Sequence, residues 1–225
     1  KKKRRLGRHN TRRRPGYSGV AGNGAVEASQ SQKFMVAFLT TLSQFAARLD
    51  DSLIYAVQSV GPAWKSVAWF LSHGIGSYPI MIAVLVIALL LIEKRRIALE
   101  IIIIAAVSFT AVYFIKYYFD APRPYAVDSR VISYDSEDSP GLPSRHAVMS
   151  VVVLGWLMLK HPKSKILVWG GTSLVILIGL SRVYLGVHYP SQVLAGLLFG
   201  ILFLYIFWSI EKHLWSPFKK EIRKR

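Results

Sequence analysis

The chain has 225 residues, 52% of them hydrophobic, and 29 Lys and Arg against 12 Asp and Glu give it a net charge of +17. An apolar share above the usual soluble range of about 45–50%, gathered into long runs, argues against a soluble domain and for helices that cross a bilayer. The absence of cysteine excludes a disulfide framework, a thiolate zinc site and cysteine catalysis.

Residues 1–33 are polar and basic, with nine Lys or Arg among the first fourteen, and no apolar period follows them. This composition reads as a disordered tail. Its charge suits a topology determinant and anionic lipid head groups. Nucleic-acid binding is not expected, because no aromatic platform accompanies the charge. The segment 34–49 is apolar but short; it reads as a first span extending towards residue 60. Residues 62–71 are amphipathic, and the run from His73 to Ser77 breaks the pattern before a second span at 78–92. A third span is expected at 97–115, a fourth at 146–159, a fifth at 166–180 and a sixth at 191–210. About 20 apolar residues cross a hydrocarbon core of about 30 Å, so the shorter runs need their flanks. The predicted fold is all-α: a membrane domain over 34–210 built as a six-helix bundle, closed by a basic tail at 211–225.

Charge sets the expected orientation. Residues 1–33, 93–96, 160–165 and 211–225 hold 22 of the 29 basic residues, and six spans place all four segments on one side. The positive-inside rule makes that side, with both termini, cytoplasmic. Segments 116–145 and 181–190 then face outward, together with the acidic cluster Asp135, Glu137 and Asp138. The Trp residues at 64, 69, 208 and 215 fit interfacial belts, and Gly186, Gly196 and Gly200 fit close helix packing. His73 and His161 are assigned no chemistry.

Basic residues are scarce on the outward side, yet they collect at span ends beside His and Ser. Lys116 ends the third span and Arg123 follows. Arg145 precedes His146 at the start of the fourth, and Arg182 ends the fifth, six residues before His188. Ionisable groups at membrane depth are costly and point to function, although Lys and Arg at span ends also snorkel to head groups. Three outward span ends carry a basic residue and two of them carry His, and this convergence suits phosphate. Arg offers a planar fork, Lys a point charge, and the two imidazoles a nucleophile and a proton donor.

Three segments carry a resemblance. Lys116-Tyr-Tyr-Phe-Asp-Ala-Pro-Arg123-Pro124 fits K-x6-R-P. Pro143-Ser144-Arg145-His146 is close to P-S-G-H. Ser181-Arg182 through His188 to Gln192 is close to S-R-x5-H-x3-D. In this order, over 116–192, they resemble the type 2 phosphatidic acid phosphatase family, which also includes vanadium haloperoxidases. The resemblance implies that Lys116, Arg123 and Arg182 hold phosphate oxygens, that Ser144 donates to one, and that backbone N–H groups around Ser144 and Arg145 add donors. It implies His188 as the nucleophile that forms a phosphohistidine, and His146 as the acid that protonates the leaving group and then activates water. The scheme needs no metal or other cofactor.

Two positions depart from the pattern. Arg145 replaces Gly, and so either adds a phosphate contact or crowds the pocket. Gln192 replaces the Asp that would orient His188; its amide oxygen can accept an N–H but carries no charge. Asp120 and Asp128 are candidate carboxylates to compensate. The expected function is hydrolysis of a lipid phosphate or diphosphate, such as polyprenyl diphosphate, phosphatidic acid or phosphatidylglycerol phosphate, at the outer face of the plasma membrane. The alternatives are a membrane protein that binds a phosphorylated lipid with little or no catalysis, or a lipid phosphotransferase.

Overall fold

A computed structural model describes residues 30–215. The basic tail predicted over 1–33 lies almost wholly outside them, as do the last ten residues of the chain. Every regular element among the described residues is helical.

Helix α1 (Gln30–Gln58) runs into the compact unit that begins at Leu42. A 3-10 turn (Pro62–Trp64), α2 (Lys65–Trp69) and a π-helical turn (Phe70–Ile75) follow. Helix α3 (Tyr78–Leu91) then leaves at 53° to that stretch. Helix α4 (Arg95–Phe119) is longer than the apolar run 97–115, so Lys116 lies inside its last turn. It stops at Asp120, whose left-handed φ of 41° ends the ladder while its N–H returns to the Lys116 carbonyl at 2.9 Å. A short α5 (Pro124–Val127) and an irregular segment lead to α6 (Arg145–Lys160), α7 (Lys165–Tyr184) and α8 (Pro190–Ile210). Ser164 caps α7 by accepting the Leu167 N–H, and Pro190 opens α8 where its missing N–H costs nothing.

Helix α6 is the centre of the bundle, packed against α4, α7 and α8. Val148, Val152 and Val153 are fully buried, and Met149 and Trp156 nearly so. A helix apolar all round belongs in such a core. Helix α8 approaches it closely through two glycines. A Cβ on Gly196 would stand 2.7 Å from the Ser144 carbonyl oxygen, and one on Gly200 would stand 2.7 Å from the Val151 Cβ. Gly186 serves a turn: its φ is +77°, and a Cβ there would meet the Ile132 carbonyl at 2.3 Å.

Among the described residues three helical stretches are long and apolar enough to cross a membrane: Arg95–Val127, Lys165–Tyr184 and Pro190–His213. The bent pair Pro62–Ile75 and Tyr78–Leu91 makes up to four if it counts as one span. Large apolar side chains such as Phe114, Trp169, Leu198 and Tyr205 are exposed on them, as lipid-facing surfaces require. The protein is an integral membrane protein. Helix α6, read as a fourth span, has 16 residues, or about 24 Å at 1.5 Å per residue. It sits inside the ring of its neighbours, where matching the bilayer is not demanded of it.

Helices α4 and α7 end, and α6 and α8 begin, at one end of this bundle. At the other end Lys160 pairs with Glu100 at 3.0 Å, and Arg96 pairs with Glu100 at 2.7 Å and Glu211 at 2.9 Å.

Candidate active site

The cations picked out in the sequence meet at the first of these ends. Lys116 and Arg182 are fully buried and Arg123 is 4% exposed. Three helix ends supply them, and one irregular segment, 135–140, answers all three. Arg123 Nη2 pairs with a Glu137 carboxylate oxygen at 2.8 Å, and Arg182 Nη2 takes the other oxygen of the same carboxylate. Lys116 Nζ donates to the Pro140 carbonyl, and Arg123 Nε to the Ser139 carbonyl at 2.7 Å. Arg182 Nη1 donates to the buried Ser72 hydroxyl and reaches Asp135 at 3.4 Å. Burial pushes the Glu137 carboxyl up, but Arg182, Arg123, Lys116 and Arg145 outweigh it and hold the group below the ordinary carboxylate range. An anion therefore stands at the focus of the cationic side chains.

His188 is fully buried beside them, just before α8. Its Nε2 lies 3.3 Å from Arg123 Nη1, and its Nδ1 lies 3.2 Å from Gln192 Oε1. Chemistry fixes the Gln192 amide. Its Nε2 donates to the Pro122 carbonyl at 2.8 Å, which can only accept, and its Oε1 takes the Tyr189 N–H at 3.2 Å, which can only donate. The oxygen thus faces His188, whose Nδ1 must carry the proton, leaving the lone pair on Nε2 towards Arg123. Burial, then the charges of Arg123, Arg182, Lys116 and His146, hold His188 well below the usual histidine pKa. The amide in place of the family's carboxylate still selects one tautomer. Asp120 and Asp128 do not compensate for the missing charge: Asp120 is exposed at the end of α4, and Asp128 is engaged by Arg130 and Tyr55.

His146 approaches from the start of α6. Its Nδ1 is buried without a hydrogen-bond partner, 3.9 Å from Glu137 Oε1, and its ring meets the edge of Tyr78 at 5.7 Å. Ser144 occupies the N-cap of α6 without capping it; its Oγ is also buried and unpartnered. Buried polar atoms without a partner are rare in a settled interior, and these two belong to residues at the start of the same helix. The Ser144 N–H, expected to serve phosphate, is instead spent on the Gln192 carbonyl at 3.0 Å. Arg145 does not crowd this interior. It is held at the edge of the site, with Nη1 donating to the Tyr78 hydroxyl at 3.2 Å and Nη2 to Ser139 Oγ at 3.3 Å.

Lys116, Arg123, Ser144, Arg145, His146, Arg182, His188 and Gln192 therefore fall in one neighbourhood, and the candidate carboxylates Asp120 and Asp128 are not part of it. Several partners there did not stand out. The sequence places Asp135 and Glu137 in an outward acidic cluster; in the structure they fold back onto the cations. Ser72 and His73 come from the π-helical turn, where His73 stacks on Trp69 at 5.0 Å and reaches Asp135 at 3.3 Å. Gly141 packs so tightly that a Cβ would stand 2.5 Å from Gln192 Nε2. The one available signal was the pair of carboxylates between two cationic motifs.

Known proteins resemble this chain in sequence and fold. The YbjG protein of Escherichia coli strain K12 is 29% identical over 160 residues, covering 67% of this chain and 75% of its own. The undecaprenyl-diphosphatase of Sulfolobus acidocaldarius is 31% identical over 138 residues, covering 60% of this chain and 65% of its own. A crystal structure of a transmembrane PAP2-type phosphatidylglycerolphosphate phosphatase from Bacillus subtilis superposes with a TM-score of 0.64 at 20% identity, covering 80% of this chain and 96% of that one; the likeness is one of fold. The PAP2 superfamily model matches residues 97–216, which take in every cation and both imidazoles of the site, and the chain belongs to that superfamily.

Proposed function

We propose that the chain hydrolyses a lipid phosphate or diphosphate through a phosphohistidine at this site. The observation that carries the reading is the convergence of Arg123 and Arg182 on the Glu137 carboxylate, with Lys116 bonded three residues further on and both histidines at its margin. A carboxylate held this way stands in for the equatorial oxygens of a phosphoryl group. His188 Nε2 attacks phosphorus, and Lys116, Arg123 and Arg182 stabilise the charge that develops. Ser144 Oγ donates to a further oxygen. His146 protonates the departing oxygen, then takes a proton from the water that cleaves the P–N bond. Gln192 holds His188 in the tautomer this requires.

A lipid substrate is supported by a groove of about 400 Å³ that starts at Tyr78 and Phe109 and continues past Ile82, Ile102 and Met149. The activity named for the Sulfolobus acidocaldarius relative supports a polyprenyl diphosphate among the candidates. The proposed topology has six membrane-crossing segments, α1 and α6 among them, with both termini cytoplasmic and the site facing the outside of the plasma membrane. The segregation of Arg96 and Lys160 to the far end supports it.

Purified protein in detergent, offered polyprenyl diphosphate, polyprenyl phosphate, phosphatidic acid and phosphatidylglycerol phosphate, should release orthophosphate from at least one. His188→Ala should abolish release, and His146→Ala should accumulate an acid-labile phosphoprotein. Release unaffected by His188→Ala would sink the mechanism. No release from any lipid would favour a binding protein without catalysis.

A further inference from the structure

Arg145 has no place in the mechanism above, yet it shares a cavity with His146. That cavity, of about 360 Å³, is lined by Tyr78, Glu137, Asp138, Ser139, Arg145 and His146. The Arg145 guanidinium is half-buried and held from three sides: the Tyr78 hydroxyl, Ser139 Oγ, and the face of Phe109 at 5.2 Å. Ser139 Oγ also receives Arg123 Nη2 at 3.1 Å. One hydroxyl oxygen thus bridges the two guanidinium groups and sets them two hydrogen bonds apart. Glu137, which also lines the cavity, pairs with Arg123 and Arg182 where the terminal phosphoryl group is proposed to bind, and Asp138 is exposed.

In an in-line displacement the leaving group departs on the side opposite the nucleophile. In the proposed mechanism His146 protonates the departing oxygen, so the leaving group emerges into the cavity that His146 shares with Arg145. A polyprenyl monophosphate leaves as an alcohol, which presents one neutral oxygen and then hydrocarbon, and offers a guanidinium no anionic partner. A diphosphate leaves as a phosphate, whose anionic oxygens match the planar fork. Past Tyr78 and Phe109 the apolar groove continues along α3 and α4, on the side a lipid chain attached to that phosphate would take.

We infer that Arg145, Ser139 and Tyr78 form a second phosphate subsite, which binds the leaving phosphate of a lipid diphosphate and selects it over a lipid monophosphate. The inference rests on the hydrolase reading. In the step it implies, the His188 Nε2 lone pair forms the bond to the terminal phosphorus. The bond from that phosphorus to the bridging oxygen breaks, and its electron pair stays on the oxygen. That oxygen takes the His146 proton and leaves as part of the lipid monophosphate, held by Arg145. Water then cleaves the P–N bond, giving orthophosphate and returning a proton to His146.

The test compares kcat/KM for a polyprenyl diphosphate and the monophosphate of the same chain in wild type, Arg145→Gly and Arg145→Lys. The diphosphate-to-monophosphate ratio should fall roughly tenfold or more in Arg145→Gly, the scale of one charged hydrogen-bonding contact, and recover in part in Arg145→Lys. An unchanged ratio, with or without a common loss on both substrates, overturns the subsite. Calorimetry on the wild type separates this from failure of the hydrolase reading, because it needs no turnover. Inorganic pyrophosphate should bind at least about tenfold tighter than orthophosphate, and equal affinities overturn the subsite even if both lipids are hydrolysed. Tighter pyrophosphate binding without hydrolysis of either lipid would leave the two-anion pocket standing and remove the substrate role argued for it.

Discussion

A neutral imidazole attacks phosphorus through the ring nitrogen that carries no proton, so whatever holds the other nitrogen decides whether His188 is useful. Gln192 does this with a neutral oxygen, pinned between Pro122 and Tyr189. Gln192→Leu keeps the volume and loses the acceptor; kcat should fall by roughly 10²- to 10⁴-fold, the upper figure being the loss when a catalytic histidine sits in the wrong tautomer. A variant within a few-fold of wild type would show that the tautomer is set elsewhere. The electrostatics of the same residue give a pH prediction. Burial and the cations around His188 disfavour its protonated form. Its neutral, reactive form therefore persists below the ordinary histidine pKa of about 6.5, and activity is lost only as pH falls through the depressed value. The acid limb of kcat/KM should lie below pH 6.5, and Arg123→Gln, which removes one of those cations, should move it upward while lowering the rate. An acid limb at or above 6.5 in wild type would contradict the assignment.

Helix ends are the elements that build the site, and their packing reaches residues that touch no phosphate. Gly141 lies where a Cβ would stand 2.5 Å from Gln192 Nε2 and 2.8 Å from the Pro122 carbonyl oxygen, so a methyl there pries apart the contact that aims the amide. Gly141→Ala should reduce kcat roughly tenfold or more, since small misplacements of a positioning group are costly, while thermal unfolding in detergent shows the fold retained; full activity would mean the amide has slack. At this scale much was legible beforehand. The convergence of Lys116, Arg123, Arg182, His146 and His188 is legible because charge and imidazole at apolar span ends are costly unless they find partners. The partners of those groups were hidden. Asp135 and Glu137 lie in a segment without periodicity, and nothing local says that it folds inward. Ser72 and His73 reach the site from a π-helical turn, after which the chain bends by 53° into α3, a geometry that a run of Phe, Leu, Ser, His and Gly does not advertise. Helix α6 was visible as an apolar run, but its central burial follows from Gly196 and Gly200 on α8, a tertiary fact.

For the molecule in its membrane, sidedness is the property most open to direct test. The chain has no cysteine, so single cysteines report cleanly. Ser136→Cys, on the exposed segment near the site, should react with an impermeant maleimide added to intact cells, and Lys163→Cys, in the turn between α6 and α7, should react only after the membrane is opened. The reverse pattern would invert the proposed topology. The carboxylate of Glu137 carries a further consequence for turnover. Orthophosphate freed in a nest of buried guanidinium and ammonium groups has little reason to depart, and a slow exit would cap the cycle whatever the chemical step achieves. A tethered rival that never diffuses away has a high effective concentration, and it can retake the arginines as soon as the product loosens. Glu137→Gln should therefore hold orthophosphate roughly tenfold more tightly, because the binding-competent fraction rises, and should show a burst followed by slowed steady-state release. Unaltered product inhibition would leave the carboxylate a purely structural counter-ion; tightened inhibition would make this side chain the eviction step of the catalytic cycle.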